Sequence, residues 1–278
     1  MSKYNFIYAC WKKELQVFNK NLAALKKHPG TNAVHDIRVA IKKLRAALEL
    51  YVLVSEDRLL AYPLKETEDF FNILGRQRDI EICLDLLRDY EKDKCCVFNE
   101  LKRHFRAILN SSFNWTIKAA KDYKKKEITS VALLLKTETL PLANEETGTK
   151  VHSLITSYLT GCKKYYKQPH RLRQYLKGIY YWIKMIQEQL SVQIAYEKQL
   201  HQVLDDFGVW QDLQVFETRI KHFRKDFLPK SFAEYGSVKM LVTEVLKRKQ
   251  KLLKATLNKT SRLIKKIESG KKEKSVPL

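Results

Sequence analysis

Glycine and proline are scarce in this chain, which has 8 glycines and 6 prolines among its 278 residues. Most of them lie between stretches of regular apolar spacing, and no stretch alternates apolar and polar residues convincingly, as a half-buried strand would. Leucine, lysine, glutamate, alanine and glutamine are frequent, and these residues favour helices. The composition therefore predicts an all-α protein.

Paired cysteines and long apolar runs are also missing. The five cysteines include no C-x-x-C pair, which argues against a disulfide framework and against a zinc site. No apolar run approaches the roughly 20 residues that a membrane-spanning helix needs. The run from Phe6 to Trp11 is too short for the core of a signal peptide. These features predict a cytoplasmic protein with reduced thiols. The cysteines are Cys10, Cys83, Cys95, Cys96 and Cys162.

Motifs of several enzyme classes are absent as well. The sequence contains no G-x-x-x-x-G-K-[ST] loop, no G-x-G-x-x-G loop and no H-E-x-x-H pair. Its E-x-E pair, Glu66 and Glu68, is followed by Phe70, where a triphosphate-hydrolysing tunnel enzyme would need lysine. The sequence therefore predicts binding without turnover, with no cofactor and no metal site.

Positive charge is what the chain has in excess. Lysine and arginine number 53 against 31 aspartate and glutamate, which gives a formal net charge of +22. A charge of that size repels itself in a compact fold, so it points to a polyanionic partner. Nucleic acid, an anionic membrane surface and another phosphate polymer all satisfy this condition.

The basic excess forms a stripe in the stretch from His35 to Glu49. At about 100° per residue, an apolar arc and a basic arc lie side by side on one predicted helix. The apolar arc consists of Ile37, Ile41, Leu44 and Leu48, and the basic arc, here called the first stripe, consists of His35, Arg38, Lys42 and Arg45. Such a face is usually only solvated, but its recurrence favours a binding surface.

The same pattern recurs 135 residues later, from His170 to Lys184. Its apolar arc consists of Leu172, Leu176, Ile179 and Ile183, and its basic arc, here called the second stripe, consists of His170, Arg173 and Lys177. Tyr180 replaces Arg45, and Lys184 replaces Glu49. Each histidine, taken singly, fits a helix-start residue bonded to backbone as well as it fits a phosphate donor.

A second motif repeats at an offset of 133 residues: Leu74-Gly75-x-x-x-Asp79 matches Phe207-Gly208-x-x-x-Asp212. The two glycines are predicted to allow close helix approach or a bend. Asp79 and Asp212 are candidates to support a neighbouring cation through a charge-assisted hydrogen bond, although solvation or capping explains them equally well. Two motifs at nearly one offset indicate a duplicated four-helix unit.

The predicted helices follow the duplication. They span about 4–27, 33–54, 57–92 and 95–125 in the first half, and about 149–166, 170–190, 193–226 and 237–268 in the second. We expect a first four-helix half at 1–135, a linker at 136–149, a second half at 150–270 and a disordered basic tail at 271–278. Further candidate phosphate-binding residues are Arg76, Arg78, Arg103, Arg106, Lys184, Arg248 and Lys251.

The two duplicated motifs, H-x-[IL]-R-x-x-[IL]-K and [LF]-G-x-x-x-D, resemble those of the CHAD family, the conserved-histidine α-helical domain. The resemblance covers nearly the whole chain. It implies two four-helix bundles related by pseudo-two-fold symmetry, a basic surface or pore between them, and binding of inorganic polyphosphate without hydrolysis. By motif position, the two stripes inherit the phosphate-binding role. Gly178 and Tyr180 depart from the basic pattern of the family, so the second stripe is expected to bind less strongly unless Lys184 compensates.

Two functional hypotheses follow from the sequence. The first is a polyphosphate-binding protein, with recruitment to polyphosphate granules as the setting that the family suggests. The second is an RNA- or DNA-binding helical protein, for which the net charge alone is sufficient and exposed aromatic residues would be the discriminating feature. Tyr165, Tyr166, Tyr180 and Tyr181 are the candidates near the second stripe. No membrane partner is expected, and the sequence leaves the oligomeric state open.

Overall fold

The computed structural model describes residues 6–28, 30–55, 64–94, 97–137, 145–190 and 194–274. All regular structure in these residues is helical, which confirms the predicted all-α class. The α-helices are α1 (Phe6–Leu25), α2 (Thr31–Ser55), α3 (Lys65–Lys94), α4 (Asn99–Asp122), α5 (Lys126–Thr137), α6 (Glu145–Gly161), α7 (Pro169–Leu190), α8 (Glu197–Asp226) and α9 (Glu234–Lys274). A short 3₁₀ helix at Cys162–Tyr165 connects α6 to α7.

The region after α4 differs from the prediction of one helix over 95–125. The helix ends at Asp122, and Lys125 adopts a positive φ of 60°. The backbone N–H of Lys124 donates to Glu66 Oε1 at 2.9 Å, which ties this bend to the start of α3. Helix α5 then begins and buries Ile128, Val131 and Leu135, an amphipathic pattern that the sequence reading left unassigned.

Several predicted features fall partly outside the described residues. Residues 138–144 of the expected linker are outside them, while α5 continues to Thr137 and α6 begins at Glu145. Pro63, which lies within the third helix predicted at about 57–92, is also outside, and the observed helix begins at Lys65. Helix α9 continues to Lys274, so residues 271–274 are helical where a disordered tail was predicted, and residues 275–278 are not described.

The helices pack in a pattern that repeats between the two halves. Helix α1 packs on α2 and α3 on α4, while α6 packs on α7 and α8 on α9. The helices that carry corresponding motifs also pack on each other, α2 on α7 and α3 on α8. This arrangement is consistent with the predicted duplication, and it places the two stripe-bearing helices side by side at the centre.

The hydrophobic core divides into two clusters that both combine residues of the two halves. The larger cluster includes the predicted apolar arcs of α2 and α7, all buried, together with the N-terminal part of α8 and the C-terminal part of α9. The smaller cluster joins the C-terminal part of α3 and the first turns of α4 to the rest of α8 and the start of α9. The expected boundary at 136–149 therefore does not separate two cores.

Away from the stripes, glutamate carboxylates accept hydrogen bonds from backbone N–H groups at the starts of two helices. Glu127 accepts the backbone N–H groups of Glu66 and Thr67 at 2.8 and 2.9 Å, at the start of α3. Glu234 accepts those of Glu100 and Leu101 at 2.9 and 3.2 Å, at the start of α4. These bonds satisfy N–H groups that have no partner within the helix, and the negative charge of each carboxylate interacts favourably with the helix dipole.

No helix in the described part of the chain is long and apolar enough to span a membrane. Cys10, Cys83 and Cys162 are free and buried, as expected of structural thiols.

Candidate anion-binding site

The structure brings the two predicted stripes together at the packed pair α2 and α7. Arg38, Lys42 and Arg45 of the first stripe are half-buried, as are Arg173 and Lys177 of the second. The charges of Arg38, Lys177 and Arg173 all act on Lys42, so cations from both helices share one field. The two histidines, His35 and His170, are exposed at the edge of this group.

Lys42 is half-buried among cations from both stripes. Burial and the three neighbouring cations lower the pKa of Lys42 from 10.5 to about 7, and the attraction of Asp212 opposes them only in part. Burial, with the charge of Arg173, also lowers the pKa of Lys177. Although His35 is exposed, partial desolvation by the surrounding protein and then nearby cations, Arg78 first among them, lower the pKa of His35, the reverse of the rise that a bound anion would cause. The free site is thus strained by positive charge that an anion would relieve.

Carboxylates do not neutralise the inner cations directly. Among the described residues, no carboxylate lies within ion-pair distance of Arg38, Lys42, Arg173 or Lys177. Only at the ends of the stripes are such pairs formed, by Arg45 with the exposed Glu68 at 3.5 Å and by Lys184 with Glu197 at 3.7 Å. The inner four cations therefore have charge available for a ligand.

Asp79 and Asp212 lie close enough to act on the stripes without bonding to them. Asp79 attracts Arg38 and Arg219, and Asp212 attracts Arg173. Burial raises the pKa of both carboxyl groups, and their mutual repulsion adds to the effect at Asp212. The described contacts include no hydrogen bond to either carboxylate, so the charge-assisted bond stays a prediction. Arg219 belongs to no repeated motif, so its position beside Asp79 could not be predicted from the sequence.

Phe71, which is not among the predicted site residues, contacts three cations of the first stripe. Its ring centre lies 4.0 Å from Arg38 Cζ, 4.9 Å from Arg45 Cζ and 5.6 Å from Lys42 Nζ. Its backbone carbonyl oxygen also accepts a hydrogen bond from Arg38 Nη1 at 2.6 Å. Cation–π attraction and this bond together hold three cations on one side of α3. The sequence feature that could have identified Phe71 is its position one helical turn before Gly75.

Gly75 makes room for Arg38 rather than for a neighbouring helix. A Cβ atom at this position would lie 2.6 Å from Arg38 Nη1. At Gly208, the matching residue of the second motif, a Cβ atom would meet nothing within 4 Å. Close approach is thus confirmed at Gly75, by a side chain, and is absent at Gly208.

These two glycines make a matched pair of variants. We expect Gly75→Ala to displace the Arg38 guanidinium and to weaken anion binding about tenfold, since one charge-assisted bond contributes roughly 1.5–3 kcal/mol. Gly208→Ala should leave binding unchanged and stabilise α8 by up to about 1 kcal/mol, because alanine favours a helix interior over glycine. Titration with an anionic ligand and thermal unfolding of both variants measure these effects. If the Gly75→Ala and Gly208→Ala variants bound the anion equally well, the role assigned to Gly75 would be wrong.

The second stripe is held differently from the first. Leu204 stands where the 133-residue offset would place the counterpart of Phe71, and the described contacts place no aromatic ring over the Arg173 guanidinium. The Nε atom of Arg173 is buried and has no hydrogen-bond partner in the part of the chain that the structure describes. His170 Nδ1 lies 2.9 Å from Gln211 Oε1. Since Lys184 is engaged with Glu197, its expected compensating role depends on releasing that pair.

The other predicted phosphate-binding residues are mostly engaged elsewhere. Arg78 joins the cluster, because its charge acts on both His35 and Asp212, and it also pairs with Glu81 at 3.2 Å. The remaining five show no described contact with the stripes. Arg76 and Lys251 are exposed, Arg103 pairs with Glu100, Arg106 acts on Glu91, and Arg248 lies 5.9 Å from the Tyr90 ring centre.

The tyrosines near the second stripe are less exposed than predicted. Tyr181 is buried, and Tyr165, Tyr166 and Tyr180 are half-buried. The described residues contain no group of three or more histidine, cysteine, aspartate or glutamate side chains placed to hold a metal ion. What the stripes present to a ligand is therefore N–H donors and positive charge.

Comparison with known proteins places this architecture in a family. The chain matches the CHAD domain family over residues 9–221. No curated protein matches it. The fold is similar to the crystal structure of the CHAD domain from the plant Ricinus communis, with a TM-score of 0.69 and 16% sequence identity over 91% of this chain and 90% of that one. Since most of the sequence lies within the family match, the chain belongs to the CHAD domain family.

Proposed function

We propose that this protein binds inorganic polyphosphate on the two stripes and does not hydrolyse it. One observation carries the proposal: Arg38, Lys42, Arg173 and Lys177 converge from two helices, and among the described residues none of the four forms an ion pair with a carboxylate. Cations concentrated in excess of the nearby negative charge are unfavourable in a folded protein unless a ligand supplies the missing charge. Membership of a family associated with polyphosphate binding supports the same conclusion.

The spacing of the donors suits an extended chain of phosphates. Residues three and four apart rise along one helix edge in steps of roughly 5–6 Å, so successive stripe residues can reach successive phosphates. Arginine binds two oxygens through its planar fork, and lysine acts as a point charge. The buried Nε of Arg173 has no hydrogen-bond partner among the described residues, and a phosphate oxygen would provide one.

Inorganic polyphosphate is distinguished from nucleic acid by its lack of bases. Recognition of single-stranded nucleic acid depends on exposed aromatic rings beside the cations, whereas the Phe71 ring beside the first stripe is already in contact with Arg38 and Arg45. With Tyr181 buried, the stripe itself offers little stacking surface. RNA or DNA binding through the net charge of +22 is the second candidate, as a weaker competitor.

Competition among polyanions tests the proposal. Labelled long-chain polyphosphate is bound near physiological salt and displaced with unlabelled polyphosphate, tRNA or single-stranded DNA at equal phosphate concentration. We expect polyphosphate to displace the label at concentrations at least tenfold lower than either nucleic acid. Equal displacement by tRNA would replace the proposal with nucleic-acid binding.

Absence of hydrolysis is measured on the same complex. After incubation with Mg²⁺, the length of the bound polyphosphate should be unchanged and no free phosphate should appear. Release of phosphate in proportion to the protein would show an enzyme instead. Non-catalytic binding fits a role in recruitment to polyphosphate granules, and co-sedimentation of the protein with granules examines that role.

A further inference from the structure

A groove of about 820 Å³ lies beside the stripes, and the polyphosphate-binding proposal makes no use of it. One wall comes from the C-terminal half of α2, where Leu48 and Val52 face the groove. The opposite wall comes from α6 and α7, where Tyr158, Tyr175 and Trp182 face it. Clefts of several hundred Å³ lined by apolar and aromatic side chains, with a few polar groups, are typical of small-molecule sites.

The aromatic wall is a fixed surface. Tyr158 and Tyr175 stack with ring centres 6.0 Å apart and 13° between the planes, and Trp182 meets Tyr158 edge to face at 5.4 Å. Trp182 Nε1 donates to the backbone oxygen of Ala46 at 2.8 Å, and the Tyr175 hydroxyl donates to the backbone oxygen of Tyr158 at 3.0 Å. Rings held in this way lose little freedom when a flat ligand packs against them.

Three polar side chains line the groove without partners. Within the described residues, Glu49, Arg171 and Gln174 make no hydrogen bond and no ion pair. Glu49 is accessible from the groove, yet enclosure by protein raises the pKa of its carboxyl group, and the charge of Arg45 only partly offsets that effect. Acceptors and donors beside an aromatic surface would match a ligand that has a flat ring together with its own hydrogen-bond donors and acceptors.

On α2, the groove begins where the first stripe ends. Glu49 follows Arg45 by one helical turn, on the edge that carries the first stripe. On α7, Gly178 lies across from Glu49, and a Cβ atom at Gly178 would lie 3.6 Å from Glu49 Oε2. Lys164 adds a cation near the aromatic wall, with Nζ 5.8 Å from the Tyr175 ring centre. A ligand lying in the groove would therefore have its end next to several cations.

We infer that this groove binds the base of a nucleoside polyphosphate, while the phosphates extend onto the first stripe. The base packs against the tyrosine rings, and its N–H groups donate to Glu49. The phosphates meet Arg45, which precedes Glu49 by one helical turn. This inference rests on the proposed phosphate-binding function and names a second ligand class for the same surface.

Other ligands match the groove less well. An inorganic phosphate chain has nothing to place against the aromatic wall and would be repelled by the Glu49 carboxylate. A purely apolar molecule would leave Glu49 and Arg171 desolvated without partners, which is costly. A base joined to phosphates supplies a flat apolar body, N–H donors and negative charge in one molecule.

The test compares ATP with inorganic tripolyphosphate, which carries a similar phosphate chain and no base. Binding of each is measured by calorimetry in the wild-type protein and in two variants, Gly178→Leu and Gly178→Ala. The leucine side chain would occupy the groove, whereas the alanine Cβ atom would make only an ordinary contact with Glu49. Both substitutions favour the helix, so folding is expected to be preserved.

We expect ATP to bind the wild type at least about fivefold more tightly than tripolyphosphate, since that is the lower end of what stacking of one base contributes. Gly178→Leu should abolish this advantage without changing tripolyphosphate binding, and Gly178→Ala should keep it. ATP that binds no better than tripolyphosphate overturns the inference and leaves polyphosphate binding intact. Failure of both ligands and of long-chain polyphosphate overturns the proposed function itself. A single-stranded oligonucleotide that competes better than ATP would assign the groove to a base of nucleic acid.

Discussion

Replacing Arg38 and Arg173 together with alanine is expected to weaken polyphosphate binding by about 100-fold or more, the sum of two charge-assisted contacts of roughly 1.5–3 kcal/mol each. The two residues are the arginines of the inner cluster, one from each stripe, and both are half-buried. Arg38 is already aligned by Phe71, whereas Arg173 keeps a buried donor without a partner. Loss of both therefore removes the directional bonds as well as two charges.

The matched control removes the same charge from a different place. Lys254 and Lys265 are exposed on α9, so their replacement by alanine also lowers the net charge by two. Exposed charges far from a ligand are screened at physiological salt, and we expect less than about a threefold loss in the control. The slope of log affinity against log salt should fall by about two in the stripe variant only. Similar losses in both variants would indicate diffuse charge attraction without a formed site.

Polyphosphate binding is expected to take up a proton and to weaken as pH rises above about 7. In the free protein, burial and neighbouring cations hold the pKa of Lys42 at about 7, so this lysine is largely neutral at pH 8. A bound anion stabilises the charged form and raises the pKa toward its usual value of 10.5. Linkage then requires affinity to fall by up to about tenfold per pH unit between these two values.

Every charged group that faces Lys42 has to be considered in this experiment. They are Arg38 on α2, Asp79 on α3, Arg173 and Lys177 on α7, and Asp212 on α8, with His35 at the edge. The arginines stay charged, and the pKa of His35 is lowered, so free His35 titrates on the acidic side of this window. Burial raises the pKa of the two carboxyl groups, and nearby arginines oppose that rise. Lys177, whose pKa is also lowered, is the group that can add to the effect.

Two variants of Lys42 isolate its contribution. Lys42→Arg keeps the charge at every pH, so binding should persist while most of the pH dependence between 7 and 9 disappears. Lys42→Met should bind more weakly and unfold at a higher temperature, because the free protein no longer holds a cation among like charges. Calorimetry in buffers of different ionisation enthalpy counts the protons, and long chains keep terminal phosphate titration small. Wild-type binding without proton uptake would refute the role given to Lys42.

Helix register could be predicted from the sequence because burial follows the helical period. Ile37, Ile41 and Leu44 are all fully buried, and the stripe beside them lies where the same wheel places it. The proximity of the two stripes could be inferred from the duplication, because two copies of one surface come together when the helices that carry them pack on each other. These inferences needed only local periodicity and an internal repeat.

Contacts between helices could not be predicted in the same way. The roles of Phe71 and Gly75 depend on how α2 lies over α3, which no single segment encodes. Likewise, the bend before α5 depends on a bond from Lys124 to Glu66, 58 residues earlier in the chain. Lys184 has the spacing of a stripe residue, and only the position of Glu197 on α8 shows that it is engaged.

Both hydrophobic clusters draw on the two halves, and α2 with α7, and α3 with α8, meet as counterparts. A polypeptide containing only one repeat would expose apolar side chains along two helices, so it would have to pair with a second copy of itself. Fusion of the repeats makes that association intramolecular and independent of protein concentration. It also frees each copy to change alone, as the two differing arginine environments illustrate.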